Sequence, residues 1–139
     1  MVGRPILGIG IVLVALTAAA ATAAAADATC ARKDLKGSWD AYVWSHGRGI
    51  NEWERCRLRF NNRGGLLSGS SCTNNTNDKT RWRGRLTLSR DCRFSGTVKQ
   101  TSIERVSCTV RGTLADKEIG SGTGKCRDGS IFIFNLVKP

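Results

Sequence analysis

From residue 55 to residue 136 the chain keeps most of its apolar side chains on even numbers and, apart from Arg90 in a turn, its cations on odd ones. Cys56, Leu58 and Phe60 alternate with Arg55, Arg57 and Arg59, and Trp82, Leu86 and Leu88 alternate with Arg81, Arg83 and Arg85. The same parity continues through Cys92, Phe94, Val98, Cys108, Val110, Phe134 and Leu136, set against Arg93, Lys99, Arg105, Arg111, Lys117 and Lys125. A strand sends successive side chains to opposite faces, so a period of two marks a sheet with one buried side. Holding one parity across many turns further requires a meander whose strands share a single inside.

Polar turn clusters divide the chain into short alternating runs, with no long 3.6-residue periodicity after residue 26. The runs predict strands over roughly 37–44, 53–60, 66–73, 80–89, 92–99, 103–114, 117–126 and 130–138. Eight such strands in series fit an all-β fold, an antiparallel up-and-down barrel or strongly curled sheet, in which closure removes exposed edges. The first strand departs from the rule: Trp39, Ala41 and Val43 are odd, Tyr42 and Trp44 even, and it reads as buried on both sides.

Residues 1–26 read as a secretory signal peptide: Arg4 in a short n-region, an apolar run from Ile6 to Leu16, and an alanine-rich tail. Residues 27–139 then form a single β-barrel domain, secreted or periplasmic, with no transmembrane span. All six cysteines lie in this part, and an even count behind an export signal implies three disulfides. No C-x-x-C occurs and His46 is the one histidine, so neither a metal site nor any cofactor is expected. Cys56-Arg57-Leu58 recurs as Cys92-Arg93-Phe94 and Ser71-Cys72-Thr73 as Ser107-Cys108-Thr109, both shifted by 36 positions. Hairpins centred near Gly64 and Gln100 place Cys56 opposite Cys72 and Cys92 opposite Cys108, which leaves Cys30 with Cys126.

The formal charge is +11, and without Arg4 the balance is 21 basic against 11 acidic residues, 14 of the cations being arginine. Such an excess favours an anionic partner, whether a polysaccharide, a lipopolysaccharide or other lipid head group, or a nucleic-acid backbone. The candidate anion site is the pair of arginine rows Arg55, Arg57, Arg59 and Arg81, Arg83, Arg85 on the second and fourth strands. Across the intervening strand, with Leu67, Gly69 and Ser71 outward, the rows stand about 10 Å apart. Six guanidiniums beside a trough of small residues, with Ser71 in its floor, suit a linear polyanion. The plainer reading is a wet strand face whose arginine stems cover the sheet.

Inward glycines at 84, 96, 112, 120, 122 and 124 share the interior with Trp82, Phe94, Phe132 and Phe134. They imply tight coiling and a filled barrel, or else a cavity for a small apolar ligand.

Asp34 to Tyr42, with Gly37-Ser38-Trp39, resembles the opening of lipocalin- and avidin-like barrels, where a G-x-W begins the first strand. The stretch from Asn61 to Gly69 is similar to the second hairpin of the avidin type. The resemblance implies the fold alone, because Ala41 stands where biotin binders carry an asparagine or aspartate. Small exported barrels also include bacterial inhibitors of secreted proteases, an architectural likeness that makes the N-terminal segment or the loop 45–52 a possible surface for a secreted protein partner.

Catalysis has little support: His46 with Glu52 or Glu54 is the one conceivable acid–base set, as in a small ribonuclease, and His46 falls in a predicted loop. The last strand is apolar on both faces, so Ile131, Ile133 and Val137 call for cover from the N-terminal segment or from a second copy in a homodimer. The sequence therefore reads as a non-enzymatic exported binding protein with a basic outer face, the alternatives being a hydrolase inhibitor or a carrier of an apolar ligand.

Overall fold

The computed structural model describes residues 29–47, 49–102 and 105–139, so the expected signal peptide lies outside the described residues. Eight antiparallel strands close into one barrel in sequence order. They are β1 (Gly37–Gly47), β2 (Ile50–Phe60), β3 (Ser71–Asn74), β4 (Lys79–Leu88), β5 (Arg93–Gln100), β6 (Ser107–Leu114), β7 (Ile119–Cys126) and β8 (Ile131–Val137). A 3-10 turn, Arg32–Leu35, precedes β1. Among the described residues no helix is long and apolar enough to cross a membrane.

The pairing register explains the parity. From β2 to β8 even residues face even residues, as in Cys56 with Cys72, Gly84 with Val98 and Cys108 with Cys126. Phe60, Leu86, Phe94, Cys108, Phe134 and Leu136 are accordingly buried while the intervening cations are exposed. β1 pairs odd with even on both sides, Trp39 with Leu58 and Ala41 with Leu136, so its inward face is the odd one. The inversion at β2 follows from a tight hairpin in which Gly47 faces Ile50 with two residues between. β1 is thus buried on one side only: Trp39 is 0% exposed and Tyr42 47%.

Residues 45–47 and 50–52 are the paired ends of β1 and β2 rather than a loop, and His46 is an outward strand residue stacked on Trp44. β3 is short because the chain from Asn61 to Ser70 turns twice and only brushes its neighbours, at Phe60 with Leu66 and Gly65 with Arg85. Residues 29–36 cross the end of the barrel and leave Ile131 and Ile133 half-exposed on the outside.

Of the three disulfides, Cys56–Cys72 stands as expected, while the others are Cys30–Cys92 and Cys108–Cys126. The 36-residue repeat misplaces the second hairpin, because β5 pairs with β6 in a register that sets Val98, not Cys92, opposite Cys108. Cys92 lies beyond the end of that ladder, where its carbonyl accepts from Leu114 N–H, and Cys126 faces Cys108 from β7. Cys92 has a left-handed backbone (φ 61°), a conformation that costs a non-glycine residue about 1–2 kcal/mol. Its bond to Cys30 draws the N-terminal segment across the base.

Candidate functional site: the barrel interior

One end of the barrel is sealed. Leu35 and Trp39 are completely buried there, and the Trp39 indole N–H donates to Leu35 O at 2.8 Å. Lys138 Nζ lies 5.0 Å from the centroid of the Trp39 ring and donates to Asp34 O, and Cys30 N–H donates to Arg90 O. Beneath this cover, Phe60, Leu88, Phe94, Leu114 and Leu136 fill the base. The Gly-x-Trp element thus carries the tryptophan that plugs the barrel.

The other end, formed by the β1–β2, β3–β4, β5–β6 and β7–β8 connections, is open. Here Trp82, Val106 and Phe132 face inward yet are only partly buried. Between base and mouth lies a cavity of about 270 Å³. Its depth is apolar, with Ala41, Leu58, Leu86, Val98, Val110 and Phe134 in its walls. The mouth is polar, with Ser45, Glu52, Glu54, Asn74, Asp78, Gln100, Asp128 and Ser130. An apolar pocket with a few placed polar groups is the usual form of a small-molecule site, and about 300 Å³ is the lower end of the common range.

The inward glycines serve both readings of the sequence. A Cβ on Gly112 would meet Phe94 at 2.4 Å, one on Gly122 would meet Phe134 at 2.5 Å, and one on Gly124 would meet Phe132 at 2.0 Å. The far edge of each ring therefore occupies the space a Cβ would take at a glycine on the wall, and neighbouring ring centroids are 5.9–6.0 Å apart. Seating the rings over glycines leaves room beside them for the cavity, and the filled barrel implied by these glycines is found only at the base.

Glu54 is the distinctive polar group. It lies on the inward face of β2 between Val43 of β1 and Asn74 of β3, and its carboxyl comes within 4.8 Å of the Cys56 and Cys72 sulfurs. Burial, and then the neighbouring Glu52 carboxylate, push its pKa above the usual carboxylate range. Those sulfurs are bonded to each other, leaving one carboxylate as the sole donor at that spot. Asp128 accepts from Ser130 N–H and Oγ–H, and Asp78 accepts from Thr76 Oγ–H. Neither Glu52 nor Glu54 has a hydrogen-bond or ion-pair partner among the described residues.

The outer face carries all seven residues of the candidate anion site. Arg57, Ser71 and Arg81 stand in one row across β2, β3 and β4, with Arg55, Thr73 and Lys79 in the next. Leu67 and Gly69 belong to the connection before β3 rather than to its outer face. Asp40 on β1 pairs with Arg57 at 3.1 Å and with Arg55 at 3.7 Å. Arg59, Arg81, Arg83 and Arg85 have no ion pair among the described residues, and Lys99 stands directly opposite Arg83. Other cations continue round the barrel, with Arg111 on β6 and Lys125 on β7.

His46 points outward and Glu52 and Glu54 point inward, so the wall of the barrel separates this one conceivable acid–base set. Sequence reasoning missed the acidic mouth. The signal for it is parity: Glu52, Glu54, Asp78 and Asp128 are all even-numbered, on the side of the core residues.

No protein-family profile matches the chain, and none of the curated proteins matches it. Solved β-barrels do resemble it in fold. A redesigned β-barrel, mFAP1, bound to DFHBI superposes with a TM-score of 0.68 at 13% identity, covering 78% of this chain and 98% of that one. The redesigned barrel b11L5F_LGL gives 0.66 at 16% identity, covering 78% and 95%. The complex of EF1p2_mFAP2b with DFHBI gives 0.65 at 10%, covering 76% and 94%.

Proposed function

We propose that the protein is a carrier that takes a small, largely apolar ligand into the barrel. The observation behind this reading is the cavity of about 270 Å³, sealed by Leu35 and Trp39 at one end and open between polar residues at the other. Burying a ligand's apolar surface among Leu58, Val98, Val110 and Phe134 supplies the affinity, and the mouth sets the orientation. That some structurally similar barrels are described as bound to a small molecule, DFHBI, agrees with this use of the fold.

The test is displacement of the neutral dye N-phenyl-1-naphthylamine by octanol. Wild-type protein is expected to bind the dye saturably at one site and release it to octanol. Leu58→Trp, which fills the lumen, is expected to lose the dye while keeping a cooperative melt. Dye binding that never saturates, or that survives Leu58→Trp, contradicts the reading.

A second reading concerns the outer face, where the row Arg57, Ser71, Arg81 favours an anionic polymer or lipid head group. Replacing Arg57, Arg59, Arg83 and Arg85 by serine is expected to lower the salt needed to elute the protein from heparin. Unchanged retention removes this reading and leaves the carrier untouched.

A further inference from the structure

Charge is distributed oppositely inside and outside this barrel. The chain has 22 lysines and arginines against 11 acidic residues, yet among the described residues its cavity is lined by four carboxylates and by no lysine, arginine or histidine. Two of the four, Asp78 and Asp128, are occupied within their own turns. Glu52 and Glu54 are not, and Glu54 sits where the polar mouth gives way to the apolar depth. A partly desolvated carboxyl without a donor is costly, the more so beside a second carboxylate. Nothing among the described residues offsets that cost, and neither the close packing of the base nor the barrel's closure requires an acid at this position.

We propose that the ligand is an amphiphile whose protonated amine, or comparable cation, is held at Glu54 while its apolar body fills the depth beneath. This rests on the carrier reading and makes it more specific. An ammonium at Glu54 makes charge-assisted hydrogen bonds to a group that has no donor among the described residues, and Glu52 adds attraction from two residues away on the same face of β2. A carboxylate-headed ligand such as a fatty acid meets the same two groups as repulsion. The apolar part is short, since the cavity is small, and Trp82 and Phe132 offer it flat walls near the mouth.

Calorimetric titration of the intact protein with octylamine, octanol and octanoate at neutral pH tests the proposal, with Glu54→Gln as the variant. The expected order is octylamine tightest, by about tenfold or more over octanol, and octanoate weakest. Glu54→Gln is expected to bring octylamine to within about threefold of octanol, with octanol's affinity unchanged. Octanoate binding as tightly as octylamine overturns the proposal, as does an amine preference that survives Glu54→Gln. In both cases octanol binding shows that the carrier reading stands. Binding of none of the three removes the carrier reading and this proposal together. Should Glu54→Gln fail to melt cooperatively, Glu52→Gln with the same three ligands takes its place, with a smaller expected fall in the amine preference, and no fall overturns the proposal.

Discussion

At the base of the barrel Leu35 and Trp39 expose nothing, while at the mouth Trp82, Val106 and Phe132 face the same interior and stay partly open. Both ends are built from the same alternating strands, so the alternation does not distinguish them. The difference lies in what crosses each end. A short N-terminal segment, stapled through Cys30–Cys92 and anchored by Trp39, lies over the base, whereas the mouth is rimmed by turns carrying carboxylates. On the carrier reading the base provides stability and the mouth specificity, and substitutions at the two ends should have separable effects.

The largest effect is expected from Trp39→Ala. Emptying a fully buried site at the base should cost about 3–5 kcal/mol in urea unfolding, whereas Phe132→Ala at the mouth should cost roughly 1 kcal/mol. Equal costs would break the contrast. Next, replacing Cys30 and Cys92 by serine releases a link spanning 62 residues and should cost about 4 kcal/mol on the chain-entropy account.

Gly124→Ala acts at the mouth. Its Cβ meets only the far end of the Phe132 ring within the closest contacts, so the ring should swing into the lumen. Ligand affinity should fall about tenfold, with a stability cost of only about 1 kcal/mol, the low end for overpacking, because the ring can move. A large loss of stability with unchanged affinity would contradict the glycine-seat account.

A smaller effect carries a definite sign with pH. The pKa of Glu54 is raised by burial and by Glu52, so its contribution to stability is present in acid and lost as pH rises through the folded-state value. Glu54→Gln should therefore melt like wild type in acid and above it at neutral pH, and thermal melts across that range check the divergence. Smallest of all, Arg83→Thr removes a like-charge pair with Lys99 and should stabilise by a few tenths of a kcal/mol. On the opposite flank, Ile133→Ser should reduce any self-association through β8, seen by sedimentation velocity, because Ile131 and Ile133 remain half-exposed.

Much of this architecture was legible in the sequence. Parity identifies the inward residues from β2 to β8, and Gly37-Ser38-Trp39 marks the start of the first strand. Two features escaped for physical reasons. Disulfide pairing depends on hairpin register, and the β5–β6 register is set by ladder geometry rather than by the repeat that links Cys92 with Cys108. The cavity depends on where aromatic rings lie: the glycines announce space, but only three dimensions show that Phe94, Phe132 and Phe134 take it along the wall. The outward arginines attract notice by number, while the proposed amine site rests on Glu54, a single even-numbered acid.

Whether the lumen is the binding site can be read residue by residue from methyl NMR during titration with octylamine. Methyl signals of Leu58, Val98 and Val110, which line the cavity, are expected to shift and saturate together, while those of Ile119, Ile131 and Ile133 on the outer face stay still. Shifts confined to the outer isoleucines, with the interior methyls unmoved, would contradict binding in the lumen.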